Sequence, residues 1–246
     1  MPTDRNILIV GEVGNGELAP ITKELLAIGR LLADEMGGRV SLTLTGQDIG
    51  SLSQQAIGYG ADAVHSIEDP LLDDDHPDAH LVAVEEVCRR SEPSIVLLGR
   101  TLIGSDMGPR LAFRLGTALV QDCVELSLDP QSGGLLATRP VYGGVAMATV
   151  KSSGNPQMAT IRPRIYEPLE YLEGRTGEVI SITPDIDPSI VKSRVVNRVI
   201  KELEGIDLED ANVVVGGGRG LGGPEPFKFL DELAGLLNGA VGASRA

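Results

Sequence analysis

The chain has 246 residues, 42% of them hydrophobic and 23% charged, which fits a globular protein of one large or two modest domains. Its formal net charge of −14 argues against a nucleic-acid partner or an anionic lipid surface, because an acidic protein surface repels phosphate. The longest apolar runs cover only a few residues, too short for a membrane span or the core of a signal peptide. We therefore expect no membrane insertion and a cytoplasmic location, or the mitochondrial matrix for a eukaryotic chain.

The first half of the chain alternates strand and helix signals. Apolar runs with β-branched residues predict strands at residues 7–10, 39–45, 63–67, 94–98 and 119–126. Apolar residues at helical spacing predict helices at residues 18–36, 52–58, 79–90 and 107–115. This alternation predicts an α/β fold, an open and mostly parallel sheet with helices on both faces.

The pattern changes after residue 126. Residues 135–140, 145–150 and 157–165 resemble strands separated by turns, which predicts an antiparallel extension of the sheet, with residues 178–182 as a further candidate strand. Residues 183–188 contain two prolines and two aspartates and are typical of a linker. We therefore divide the chain into an N-terminal domain, residues 1–190, and a second unit, residues 191–246.

A glycine-rich loop is the main feature of the second unit. An apolar strand at residues 211–215 leads into residues 216–223, six of them glycine, and a helix is predicted at residues 226–238. Gly218, Gly220 and Gly223 match G-x-G-x-x-G, a pattern that lets backbone N–H groups approach a phosphate. So many glycines match many patterns, and a flexible interdomain turn is the alternative. Arg219 favours a ligand site, because a cation in such a loop can bind a phosphate or a flavin carbonyl.

Ser244 and Arg245 follow a second predicted strand that begins near Ala240. The carboxyl end of a parallel strand faces the ligand crevice of an open α/β sheet. The serine offers a hydroxyl and the arginine a fixed positive charge, while a solvated chain end is the alternative.

These segments resemble the α-subunit of electron transfer flavoproteins. Residues 213–221 match the family's V-x-G-G-R-G loop, residues 227–234 its F-x-x-L-x-x-L-A helix, and residues 239–246 its G-A-x-G-A-S-R-A strand end. Residues 97–112 are similar to the family's G-x-D-x-x-P-R-x-A segment, and residues 121–124 and 139–150 to the strands that follow it. The resemblance covers essentially the whole chain.

The resemblance implies FAD as the cofactor, held mainly by a Rossmann-like domain. The second unit, residues 191–246, is the incomplete first part of that domain. It implies a heterodimer with a smaller β-subunit, with the N-terminal domain, residues 1–190, as the subunit-association domain. It also implies that electrons are received from acyl-CoA or related dehydrogenases and passed to a quinone oxidoreductase or another acceptor. It implies an electron carrier rather than a self-contained enzyme, and an electron-bifurcating variant stays open. By position, Gly218, Arg219 and Gly220 contact FAD, Ser244 hydrogen-bonds it, and Arg245 lies near the flavin, where positive charge stabilises reduced anionic forms.

The family pattern continues beyond G-A-S-R-A with a Q-x-G-x-T-G loop, an S-G-A-x-Q-H segment and a late nucleotide-contacting strand. None of these occurs in the 246 residues. We therefore expect the sequence to be part of a longer protein, and this piece alone to bind FAD weakly or not at all.

A second interpretation makes the N-terminal domain a nucleotide-binding or scaffold module without redox activity. Residues 11–16 follow the first strand and contain glycines, but they lack a P-loop lysine. They also do not match the S-G-G-x-D-S loop of adenine-nucleotide hydrolase-like proteins. A structural turn is the favoured interpretation.

The remaining candidates point to structure more than to chemistry. His76 and His80, with the nearby aspartates, resemble a metal site, but a solvated helix cap explains them better, and we predict no metal and no catalytic residue. Cys88 and Cys123 are predicted to be buried, reduced thiols. The positive charges near the antiparallel strands fit surface solubility about as well as packing against the partner subunit or the flavin domain; they are Arg139, Lys151, Arg162 and Arg164.

Overall fold

A computed structural model describes residues 5–14, 16–47, 49–72, 76–192, 196–197, 206, 208 and 211–244. The chain divides into two compact units, Met1–Val195 and Val196–Ala246. The predicted division after residue 190 stays a prediction, because compactness alone does not show that a unit folds by itself.

The first unit alternates strands and helices through its first half, as predicted. Its elements are β1 (Asn6–Val10), β2 (Val13–Gly14), β3 (Glu17–Leu18), α1 (Pro20–Met36), β4 (Arg39–Gly46), α2 (Gly50–Gly58), β5 (Ala63–Glu68), α3 (Pro77–Ser91), β6 (Ile95–Gly99), α4 (Leu102–Leu115), β7 (Leu119–Cys123), β8 (Glu125–Leu128), β9 (Leu135–Val141), β10 (Ala146–Lys151), β11 (Gln157–Ile161) and β12 (Glu178–Ile182). Helix α4 begins earlier than predicted because Thr101 caps it, accepting the N–H of Gly104 at 3.0 Å.

A seven-stranded parallel sheet carries the first unit, in the order β12-β5-β4-β1-β6-β11-β7. Helices α1 and α2 cover one face, where Leu25 and Ile57 are buried, and α3 and α4 cover the other, where Leu81 and Leu111 are buried. The chain moves from β1 to β4 and β5 on one side and then returns to β6 on the other. This arrangement confirms the predicted parallel α/β fold with helices on both faces.

The antiparallel part differs from the prediction in three places. Strands β8, β9 and β10 form a separate antiparallel sheet. The single strand predicted at residues 119–126 is instead divided by a bend at Val124 into β7 and β8, which lie in different sheets. The predicted antiparallel strand at residues 157–165 ends at Ile161 and lies parallel between β6 and β7. Its buried run from Met158 to Ile161 suits an interior parallel strand, which is covered on both faces. Strand β12 likewise pairs parallel to β5.

An irregular segment, residues 162–177, connects β11 to β12 and is named here the strap. Glu24 of α1, only 5% exposed, accepts backbone N–H groups from Arg164 at 3.0 Å, Ile165 at 3.1 Å and Tyr166 at 3.4 Å. Further along, Arg175 donates to Asp62 at 3.1 Å. The strap thereby brings the chain past α1 to the opposite edge of the sheet.

The predicted linker at residues 183–188 packs on the first unit. Ile182 and Ile186 are buried in the core beneath α3, and Ile190, in a 3-10 turn at Pro188–Ile190, packs against the same core. Apolar burial therefore overrides the proline and aspartate content that suggested a free linker.

The second unit contains β13 (Val214–Gly217), a 3-10 turn (Arg219–Leu221), α5 (Phe227–Leu236) and β14 (Ala240–Ala243). Strands β13 and β14 pair in parallel, and α5 packs on both. The helix ends before the predicted residue 238, because Asn238 adopts a left-handed φ of 50°. The second unit was predicted to begin at residues 191–203, and most of that segment lies outside the described residues, as does the predicted Arg245.

Candidate functional site

Gly218 follows β13 and Ser244 follows β14, so the two residues lie side by side at the ends of these parallel strands. Gly217 pairs with Ala243, and the N–H of Ser244 donates to the carbonyl of Gly217 at 3.1 Å. A Cβ atom added to Gly218 would lie 3.2 Å from the Ser244 hydroxyl oxygen, a tight contact. Glycine at this position therefore lets backbone and hydroxyl approach each other at the carboxyl edge of the pair.

The neighbouring glycines have different roles. A Cβ on Gly217 would lie 2.5 Å from Leu230 Cδ1 and 2.8 Å from Leu221 Cδ1, so this glycine allows α5 to pack on β13. A Cβ on Gly220 would meet nothing within 4 Å, so the outer side of the turn is open. The predicted loop over residues 216–223 is therefore shorter, because Gly216 and Gly217 belong to the strand.

Arg219 stands exposed at the start of the 3-10 turn. No residue in the described part of the chain forms an ion pair with it, and the amides of Arg219 and Gly220 donate to no described acceptor. A cation, free amides and a serine hydroxyl at one strand edge are the donors that phosphate oxygens or a flavin carbonyl require. These residues fit FAD.

The switch point of the first sheet, between β1 and β6, carries a carboxylate. Glu12 follows β1, and its side chain accepts the hydroxyl of Thr101 at 2.7 Å. Burial raises the pKa of the Glu12 carboxyl, while the Thr101 hydrogen bond lowers it. Residues 11–14 and 16 lie in and around the short β2–β3 hairpin, and the carboxylate of Glu12 among them disfavours a phosphate at this crevice.

The segment that resembles G-x-D-x-x-P-R-x-A lies on α4 and links two helices. Arg110 donates to Asp106 one turn earlier at 2.8 Å and also pairs with Asp78 in the first turn of α3. Its described contacts therefore hold α4 against α3.

The thiols and imidazoles occupy structural positions. Cys88 and Cys123 are buried and free, as predicted, and burial raises the pKa of each thiol to about 12. His80 Nδ1 lies 2.7 Å from Thr45 Oγ1, and His76 directly precedes α3.

Within the described ranges of the chain, no three His, Cys, Asp or Glu side chains are grouped to hold a metal ion. No helix in the same ranges is long and apolar enough to cross a membrane.

Two polar features escaped the sequence interpretation. Glu24 sits on the buried face of α1, and the signal for it was a carboxylate placed among apolar residues of that face. Arg100 directly follows β6, and its signal was a cation at the carboxyl end of a buried strand.

A parallel α/β sheet with a switch point in the first unit, and a glycine loop at a parallel strand pair in the second, are typical of Rossmann-like α/β folds. Residues 7–187 match the family model described as electron transfer flavoprotein domain, and residues 207–246 match the electron transfer flavoprotein FAD-binding domain. The chain belongs to the electron transfer flavoprotein α-subunit family.

Several named relatives agree with this assignment. The electron transfer flavoprotein subunit alpha of Thermoanaerobacterium thermosaccharolyticum is 39% identical over 98% of this chain and 73% of its own length. That of Megasphaera elsdenii is 38% identical over 98% of this chain and 72% of its own. Protein FixB of Azorhizobium caulinodans is 35% identical over 98% of this chain and 66% of its own. The predicted family is confirmed, and these relatives favour it over the module without redox activity.

Proposed function

We propose that the chain works as the α-subunit of an FAD-dependent electron carrier, not as a self-contained enzyme. It pairs with a β-subunit, receives electrons from acyl-CoA or related dehydrogenases, and passes them to a quinone oxidoreductase or another acceptor. The carrier acts in the cytoplasm, or in the mitochondrial matrix of a eukaryote. One observation carries the proposal: Gly218 and Ser244 meet at the carboxyl edge of β13 and β14, with Arg219 exposed beside them.

The proposed cofactor residues are Gly218, Arg219, Gly220, Ser244 and Arg245. The absence of a side chain at Gly218 lets the cofactor approach the backbone, and the open turn at Gly220 leaves its amide accessible. Ser244 offers its hydroxyl, and Arg219 and Arg245 balance negative charge. FAD supplies the redox chemistry when bound, while these residues bind and orient it.

The first test is cofactor content. The full-length protein is produced together with its β-subunit, and the purified complex is examined for flavin absorbance and for reduction by an acyl-CoA dehydrogenase with its substrate. We expect a yellow complex that the dehydrogenase reduces. A colourless, correctly assembled complex would contradict the proposal.

The second test concerns Arg219. Arg219→Ala should weaken FAD binding by about tenfold or more, since a hydrogen bond to a charged group contributes about 1.5–3 kcal/mol. Arg219→Lys keeps the charge but loses the planar guanidinium, so its FAD affinity should lie between those of Arg219→Ala and the unsubstituted chain. Lys228→Ala, at an exposed position on α5, is the matched control and should bind FAD as the unsubstituted chain does. Equal affinities for all four proteins would remove Arg219 from the site.

Weak or absent FAD binding by the 246-residue chain alone stays a prediction. Titration of FAD into this chain without the β-subunit, followed by flavin fluorescence, measures it. Tight, stoichiometric binding would contradict it.

A further inference from the structure

The loop after β1 brings Glu12 to the switch point of the first sheet. Strand β4 lies on one side of β1 and β6 lies on the other, and all three run parallel. The crevice between the ends of β1 and β6 is therefore the place where open α/β sheets usually bind a ligand. Glu12 follows Val10, the last residue of β1, so its side chain is placed at this crevice.

The Glu12 carboxylate is hydrogen-bonded to the N-terminus of α4. The hydroxyl of Thr101, the cap of this helix, accepts the Gly104 N–H at 3.0 Å and donates to Glu12 Oε1 at 2.7 Å. A continuous chain of hydrogen bonds thus runs from the helix backbone to the carboxylate. The start of a helix carries partial positive charge, and it is a common place for a ligand's phosphate or carboxylate. Here a side chain of the protein supplies that anion.

The backbone of Glu12 is fixed to the start of α1. The Thr22 hydroxyl accepts the Glu12 N–H at 2.7 Å and donates to the Glu12 carbonyl at 2.8 Å. The same carbonyl accepts the N–H of Ala19 at 3.0 Å. Thr22 is fully buried, which keeps these bonds away from water. Glu12 therefore joins β1, α1 and α4, the three elements that border the crevice.

Gly99, the last residue of β6, gives the carboxylate its space. A Cβ atom added to Gly99 would lie 3.1 Å from Glu12 Oε1 and 2.6 Å from Ile21 Cγ1. A Cβ on Gly104 would lie 2.0 Å from the Gly99 carbonyl oxygen, so α4 packs directly on the strand end. Side chains of the protein therefore fill the floor of the crevice, and burial raises the pKa of the Glu12 carboxyl.

We propose that the Glu12 carboxylate is an internal ligand, which occupies the crevice between β1 and β6 in place of a bound anion. It holds the starts of α1 and α4 at the strand ends, as an external carboxylate would if it accepted the same hydrogen bond from Thr101. The switch point of the first unit is thereby closed by the chain itself. Removal of the side chain should create a site for a small carboxylate.

Rescue by acetate tests the proposal in the full-length protein with its β-subunit. Glu12→Ala removes the side chain beyond Cβ, and acetate has the same heavy atoms as the missing group. Hydrogen exchange at Gly104 and Ser105 reports the start of α4, because both amides donate to Thr101 at 3.0 Å. These amides should exchange about tenfold faster or more in Glu12→Ala, since a charged hydrogen-bond partner is lost.

Acetate should reverse this change only where the carboxylate is missing. At a Kd of about 10 mM, about 100 mM acetate should slow the exchange in Glu12→Ala by about tenfold. Chloride at the same concentration should not slow it. Pivalate carries a tert-butyl group beside its carboxylate, is too bulky for the space and should also fail. Equal exchange in acetate, chloride and pivalate would overturn the internal ligand.

Glu12→Gln and Glu35→Ala are the matched controls. Glu12→Gln keeps the volume of the side chain and an acceptor oxygen for Thr101, so the crevice stays filled and acetate should change nothing. Glu35→Ala removes an exposed carboxylate from α1 and should not respond to acetate either. An equal response of Glu12→Gln and Glu12→Ala would show that the side chain does not occupy the acetate site, and it would overturn the proposal.

Unfolding of Glu12→Ala in chloride would still give a decisive result. Its far-UV circular dichroism is then compared in acetate and in pivalate: folding in acetate alone supports the internal ligand, and an unfolded chain in both overturns it. Flavin content is measured on the same samples. A folded variant that holds FAD but shows no rescue by acetate rejects the internal ligand and leaves the proposed function standing.

Discussion

Replacing Glu24 by alanine is expected to free the start of the strap from α1. The carboxylate is 5% exposed and accepts the N–H groups of Arg164 at 3.0 Å, Ile165 at 3.1 Å and Tyr166 at 3.4 Å. A hydrogen bond to a charged group contributes about 1.5–3 kcal/mol. Arg164 and Ile165 are themselves exposed, so water can solvate their amides after the substitution. Two good bonds at the lower end of that range give a loss of about 3 kcal/mol, and the longer third bond adds little.

Chemical denaturation measures this loss. The chain has no tryptophan, so far-UV circular dichroism follows unfolding in urea, and hydrogen exchange of residues 164–166 reports the strap itself. Glu24→Gln keeps one acceptor oxygen and should lose roughly half as much. Glu35→Ala, at an exposed position of the same helix, should stay within about 0.5 kcal/mol of the unsubstituted chain. If Glu24→Ala matches that control in stability and in exchange, the carboxylate does not hold the strap.

Two further predictions concern burial and packing. Burial lowers the pKa of His65, and the charge of Glu178 opposes this shift. Unfolding therefore takes up a proton as pH falls below about 6.5, the pKa of an unperturbed histidine, and the stability that depends on neutral His65 is lost there. His65→Asn should flatten the pH dependence of urea unfolding there, and an unchanged slope would contradict this. Gly217→Ala should cost about 1–3 kcal/mol because its Cβ would crowd Leu230, whereas Gly216→Ala meets nothing within 4 Å. Equal hydrogen exchange in α5 of both variants would contradict the packing role of Gly217.

Local signals predicted the first half of the fold well. Helix α1 ends at Met36 as predicted, because Gly37 supplies the left-handed cap with a φ of 64°. Strand β6 is a fully buried apolar run that ends at Gly99. In such segments each boundary is set by neighbouring residues, so the sequence contains the information directly.

Pairing partners and bends were harder to predict. Strand β11 follows two turn-separated strands in the sequence, which suggested an antiparallel strand, and only its distant neighbours β6 and β7 make it parallel. The β-bulge at Asp122, where β7 pairs with β11, occurs without glycine or proline, the residues that normally mark such a site. The local sequence therefore gave no warning that residues 119–126 divide between two sheets.

For the candidate flavin residues, the sequence predicted their place at a strand end but not their contacts. The glycine pattern located Gly218 and Arg219 at a strand end, but it did not show that Gly217 serves helix packing. Both positions carry the same residue type, and only the nearest atoms distinguish them. The contact between Gly218 and Ser244 depends on the register of β13 with β14, which no local pattern specifies.

The carboxyl edge of the first sheet has two parts with opposite charge. Where β1 meets β6, the place at which open α/β sheets usually bind ligands, Glu12 presents a carboxylate to any incoming phosphate. Beyond β6, the exposed Arg100 and Arg162 follow neighbouring strands, and the carboxylate of Asp122 pairs with Arg162. A small anion would therefore be repelled at the usual crevice and meet exposed arginines outside it.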